Sequence, residues 1–97
     1  MFTFKNKTVL VTGGSRGIGA ATVKLFAQMG ANVAYNYHSN KKAAETLLKI
    51  IQSNSGHYFC DVCDVKNFEH VSGFVSKTIK EFSKIDILVN NAGIWEY

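Results

Sequence analysis

No apolar run in the sequence approaches the roughly 20 residues that a membrane-crossing helix needs. The opening residues Met1-Phe2-Thr3-Phe4-Lys5-Asn6-Lys7 also lack the apolar core of a secretory leader, so a soluble, cytoplasmic protein is expected. Cysteine is nearly absent: Cys60 and Cys63 are the only two, too few for the disulfide framework of a small secreted domain and in keeping with a reducing compartment. They spell Cys-x-x-Cys, but no second Cys or His pair stands at ligand spacing, so neither zinc nor redox use is expected. In an extended strand the two side chains would point to opposite faces, which makes Cys60 a small core residue. His38, His57 and His70 show no helical pairing, and no metal triad is expected. Acidic residues are outnumbered, seven against eleven basic, for a formal charge of +4. The basic residues are scattered from Lys5 to Lys84, which reads as a solvated surface or a match to a phosphate-bearing small molecule. A nucleic-acid partner is not expected.

What is present suits one domain or a piece of one: 97 residues, 46% of them hydrophobic. A chain of this size buries only about 60 to 65% of the surface its unfolded form exposes, so a marginal core is expected. Lys7 to Thr12 is a β-branched and apolar run ended by Gly13-Gly14, the pattern of a strand buried on both faces. From Ile18 to about Met29 apolar residues recur at helical spacing, and Gly30 is placed to cap that helix in the left-handed conformation. A second strand is expected over Asn32 to Asn36 and a second helix over Lys41 to Gln52, followed by the turn Ser53-Asn54-Ser55-Gly56. His57 to Val62 reads as the third strand. Asn67 is placed to cap a third helix through Phe82, and Asp86 to Val89 gives a fourth strand. The order β-α-β-α-β-α-β implies an α/β fold with a doubly wound parallel sheet, whose ligands bind where the winding reverses, between strands one and four.

Thr12-Gly13-Gly14-Ser15-Arg16-Gly17-Ile18-Gly19 joins the first strand to the first helix. In that context Gly13 permits the tight turn, Gly17 lets the backbone approach a pyrophosphate, and Gly19 lets helix and sheet pack closely. The unpaired N–H groups of the helix start then face the anion. Ser15 has two compatible uses, a bond to phosphate or a helix cap. An acidic residue about twenty positions on would hold a ribose 2′-hydroxyl and repel a 2′-phosphate. Tyr35-Asn36-Tyr37-His38 occupies that stretch, no acid appears until Glu45, and Arg16 can fork onto phosphate oxygens. NADP is therefore expected over NAD, with Asn36 counted among the cofactor-binding residues and His38 and Lys41 near the adenosine end.

These residues resemble the short-chain dehydrogenases/reductases, most closely the 3-oxoacyl-[acyl-carrier-protein] reductase-like members. Three motifs carry the resemblance in the family's order: Thr12-Gly13-x-x-x-Gly17-x-Gly19, Asp61-Val62 and Asn90-Asn91-Ala92-Gly93. It implies a Rossmann fold of which this chain is the four-strand, N-terminal portion, and an oxidoreductase passing hydride between a nicotinamide cofactor and a carbonyl or secondary alcohol. It also implies that Asp61 holds the adenine amino group, that Val62 adds a backbone contact, and that Asn91-Ala92-Gly93 lies against the ribose and sheet. From the residues alone, Asp61 or Asp64 serves equally well as a helix or turn cap. The family's catalytic Tyr, Lys, Ser and Asn, its substrate pocket and the helices of its oligomers lie beyond the Asn-Asn-Ala-Gly turn, so no catalytic residue is expected here and the 97 residues alone are expected to be inactive. Tyr37-x-x-x-Lys41 matches that Tyr-Lys spelling but follows the second strand, where Ser39-Asn40 reads as a turn. The alternative in a different class is a nucleotide-binding remnant without catalysis. Trp95 and Tyr97 suit either a substrate wall or the core.

Overall fold

The computed structural model describes residues 3–14 and 17–91. Along the chain run β1 (Thr8–Thr12), α1 (Gly17–Gln28), β2 (Asn32–Tyr37), α2 (Lys41–Ile51), β3 (Tyr58–Val62), α3 (Phe68–Phe82) and β4 (Ile87–Asn90). All three strand pairings are parallel, and the sheet order is β3-β2-β1-β4. The winding reverses between β1 and β4, so the crevice lies where the sequence pattern places it. None of the described helices is long and apolar enough to cross a membrane.

The unbroken apolar run of β1 is explained by cover on both faces. Val9 and Val11, with Val33 and Tyr35 of β2, pack against Val23 and Ala27 of α1 and Ala44, Leu47 and Ile51 of α2. Leu10 and Ala34 point the other way, toward Phe74 of α3 and Cys63, as the two-residue period of a strand demands. Cys60 joins the first cluster and Cys63 the second, so the two free thiols lie on opposite sides of the sheet. Burial pushes both thiols up, away from the thiolate that metal or redox chemistry requires.

Local signals set the helix ends. Gly30 has φ +89°, and its N–H bonds Ala27 O at 3.0 Å while Ala31 N–H bonds Phe26 O at 3.1 Å, the paired bonds of a Schellman cap. Asn40 caps α2 by accepting from Ala43 N at 3.0 Å. Tyr37 therefore closes a strand and Lys41 opens a helix, which separates the Tyr-x-x-x-Lys pair. Asn67 accepts from the N–H groups of Glu69 and His70 at the start of α3. Residues Thr3 to Lys7 form a strap that sequence periodicity does not reveal: Phe4 N–H bonds Met29 O at 2.8 Å, and the Phe4 and Phe26 rings meet edge to face at 5.3 Å.

Element ends differ from the sequence reading by a residue or so, and at β4 the reason is chemical. The Thr8 N–H bonds Asp86 Oδ2 at 2.8 Å, so a side chain occupies the place of a ladder carbonyl and the strand begins at Ile87. Asp86 N–H returns a bond to Thr8 O at 2.9 Å, and Lys84 Nζ lies 3.2 Å from the same carboxylate oxygen. The bond from Thr8, with Lys84 beside it, holds the Asp86 carboxyl below its ordinary value.

Two stability predictions follow from this end of the sheet. A carboxyl lowered in the folded state contributes stability above its unfolded value of 3.8 and loses it as the pH falls through the lower folded value. Asp86→Asn is thus expected to lower the urea midpoint at neutral pH, with the gap to wild type closing in acid; a gap constant with pH would contradict the charge argument. Thr8 is fully buried and its Oγ1 has no hydrogen-bond partner among the described residues. Replacing that hydroxyl by the methyl of Thr8→Val is expected to stabilise the chain by about 1 kcal/mol, read as a raised urea midpoint with unchanged slope.

Candidate functional site

The crevice is built around one residue. Gly13 follows β1 with φ +68°, a conformation that L side chains avoid. Its N–H bonds Asn36 Oδ1 at 2.8 Å, and its carbonyl accepts from Asn91 Nδ2 at 3.3 Å. Gly14 N–H adds a bond to the Asn36 carbonyl at 3.2 Å. On the β4 side, Asn91 N–H bonds Thr12 Oγ1 at 2.9 Å, and that hydroxyl lies 3.1 Å from Asn90 Oδ1. Asn36 and Asn91 are 2% and 6% exposed, so these amides are committed to shaping the turn.

The glycines do different work. Among the described residues a Cβ on Gly17 would meet nothing within 4 Å, and φ is +62°, so the requirement at this residue is one of backbone conformation. A Cβ on Gly19 would collide with Gly13 O and lie 2.9 Å from Asn91 Nδ2, so α1 meets the turn at a distance only glycine allows. Gly14, to which the sequence assigned no role, faces Tyr35, whose Cβ would lie 2.6 Å from an added Cβ. Its requirement comes from a neighbouring strand and leaves no trace in local spacing. The first turn of α1 has no acidic residue, so no carboxylate within it offsets the positive end of the helix dipole beside the crevice. Ile18 is exposed in the same turn. Ser15, Arg16, Ala92, Gly93, Trp95 and Tyr97 lie outside the described residues.

Two further strand ends share this rim. Asp61 pairs in register with Asn36; its Oδ2 lies 3.2 Å from Lys77 Nζ of α3, and its Oδ1 accepts from Val62 N at 2.9 Å. Val62 is exposed. Asp64 takes Lys66 N–H within a turn at 3.0 Å, Asn67 is the cap of α3, and Asp61 is paired with Lys77. His38, beyond β2, is exposed, with Nε2 3.9 Å from Asp64 Oδ2. Thr12 stands in the glycine-turn motif and Gly14 at the strand end, but the bond of Thr12 to Asn91 and the contact of Gly14 with Tyr35 were not assigned from the sequence.

An open backbone cradle at Gly17, donor groups at a helix start and a carboxylate at the next strand end together suit a ligand with a diphosphate and an amino-bearing base. Comparison with known proteins agrees in kind. The family model described as short chain dehydrogenase matches residues 7–97. A 3-oxoacyl-[acyl-carrier-protein] reductase of Synechocystis sp. is 41% identical over 88 residues, which is 91% of this chain and 36% of the relative. An uncharacterized oxidoreductase of Methylorubrum extorquens is 36% identical over 97 residues, covering all of this chain and 39% of the relative. The crystal structure of a short chain dehydrogenase from Burkholderia cenocepacia in complex with NADP superposes with a TM-score of 0.86 at 37% identity, over 90% of this chain and 36% of that one. The chain thus spans little more than a third of the length of these proteins.

The two kinds of glycine requirement are separable by mutation. Gly17→Ala is expected to cost about 1 to 2 kcal/mol, the penalty of a left-handed alanine. Gly19→Ala, which must displace the Gly13 carbonyl, is expected to cost more and to broaden or abolish the cooperative urea transition. Equal costs would contradict the close approach.

Proposed function

This chain belongs to the short chain dehydrogenase family, and from that membership we propose that it binds a nicotinamide dinucleotide in the β1–β4 crevice, as the cofactor-binding, N-terminal part of one Rossmann domain in an oxidoreductase. The observation that carries the reading is the Gly13 turn, clamped by two buried asparagines and open at Gly17. In this reading Gly13, Ser15, Gly17, Ile18 and Gly19 wrap the pyrophosphate, Asp61 and Val62 meet the adenine, and Asn91, Ala92 and Gly93 border the ribose. When bound, the cofactor supplies or accepts a hydride at a carbonyl or secondary alcohol carbon of a small-molecule substrate. The residues of this chain bind and orient it, and the 97 residues alone bind without turnover. The full-length protein acts in the cytoplasm as a homo-oligomer.

NADP is the preferred form. No Asp or Glu stands between Asn36 and Lys42 to repel a 2′-phosphate, and Arg16 is available to pair with it. Asp64 at that rim lies beside His38, whose Nε2 is 3.9 Å from its Oδ2. The NADP complex of the Burkholderia relative supports the same choice.

Fluorescence titration of the chain with NADPH and NADH tests this directly. NADPH is expected to bind at least about tenfold more tightly, a difference of about 1.4 kcal/mol. Arg16→Ala is expected to erase most of that margin while leaving NADH affinity within about twofold. Equal affinities in the wild type would remove the NADP preference, and no binding of either nucleotide to the folded chain would remove the cofactor reading.

A further inference from the structure

Asn36 is a buried polar side chain in the middle of the sheet, and its bonds reach two strands that do not touch one another. Its Oδ1 accepts from Gly13 N, at the turn after β1, at 2.8 Å. Its Nδ2 donates to Cys63 O, the residue that follows β3, at 2.9 Å. Its main-chain carbonyl takes Gly14 N–H as well. In the order β3-β2-β1-β4, β1 and β3 are separated by β2, so no ladder bond can fix the glycine turn relative to the segment after Asp61-Val62. The side chain of Asn36 does so in one step. A carboxamide is suited to this because it carries an acceptor and a donor on separate atoms. Nearly full burial means that both bonds form without competition from water.

We infer that Asn36 is a positioning residue that sets the glycine turn and the end of β3 at the spacing of one dinucleotide, without touching the ligand itself. The inference rests on the cofactor reading above and refines it, because a side chain 2% exposed with bonds at both ends acts on a ligand through the turn it holds. With the clamp in place, a dinucleotide engages the turn and the β3 end together and meets a preorganised site. Without it, the two ends are tied to β2 only by main-chain bonds, Gly14 N–H to Asn36 O and Cys63 N–H to Tyr37 O, and the looser spacing reduces the gain from linking phosphate and adenosine in one molecule.

The test compares linked and unlinked probes on the 97-residue chain: NADPH, inorganic pyrophosphate and adenosine 2′-monophosphate, each titrated into wild type, Asn36→Thr and Asn36→Ala. Thr fits a strand interior and offers one oxygen in place of two separated atoms. Ala removes both the acceptor for Gly13 N–H and the donor to Cys63 O without adding a charge that would itself repel a phosphate. Both variants are expected to bind NADPH about tenfold or more weakly while the two fragments stay within about twofold. A purely structural role predicts a lower melting temperature with the ratio of dinucleotide to fragment affinities unchanged. That result, or fragments weakening in step with NADPH, would overturn the inference. So that the inference does not depend on either variant folding, pyrophosphate titrated into the wild type is expected to shift the Cys63 amide resonance along with that of Gly13; shifts confined to the turn would overturn it. Wild-type chain that is folded yet binds no NADPH would sink the cofactor reading itself, whereas binding by wild type and variants alike would sink only the role of Asn36.

Discussion

The Gly13 peptide unit, gripped at its N–H by Asn36 and at its carbonyl by Asn91, is the constraint from which the rest of the crevice takes its shape. A buried amide left unpaired is costly, so each asparagine has to meet its partner for the sheet to close over it. Once Gly13 is fixed, its carbonyl sets how near α1 can come, and the missing side chain at Gly19 lets the helix come that near. The helix start is thereby aimed at the space before Gly17. The chemistry of the site is thus a consequence of main-chain geometry, with side chains working mostly from behind it.

The sheet that carries this turn is covered unevenly. On one face α1 and α2 bury a cluster that runs from Val9 to Ile51. On the other, α3 covers Leu10 and Ala34 with a smaller set. Leu88 pairs in register with Leu10, yet Leu10 is buried and Leu88 is 64% exposed, because α3 lies over the β2 side and does not extend to β4. Phe68, at the first position of α3, is 82% exposed. β4, which Asn91 follows, is therefore open to solvent at Leu88, and its attachment rests on the ladder to β1 and the bonds of Asp86 and Thr12.

Much of the architecture could be read from the residues because its causes are local. The switch from short apolar runs to helical periodicity marked every element, and Gly30, Asn40 and Asn67 each ended or began a helix by a mechanism contained within a few residues. The parallel order and the place of the winding reversal followed from the alternation of strands and helices. What escaped was set by partners distant in sequence. Gly14 is required by Tyr35, Thr12 by Asn91, and the extra reach of Asp86 by Thr8. Asn36 was picked out for what stands at the end of β2, the position that meets the ribose in dinucleotide-binding folds. Its actual engagement with Gly13 and Cys63 requires knowing which strands flank β2, and no spacing rule contains that.

The two grips on Gly13 differ in sequence distance, 23 residues to Asn36 and 78 to Asn91, and this gives the crevice an order of assembly in time. Chains leave the ribosome from the N-terminus at about 5 to 20 residues per second, so the turn meets Asn36 within the first emerging βαβ unit. Asn91 follows several seconds later, after α3. Until then the mouth of the crevice is gripped on one side only, and α1 has no fixed carbonyl against which to settle. Completion of the crevice is in this way tied to delivery of the fourth strand, so a growing chain presents the whole turn only after the sheet that must hold it has been laid down.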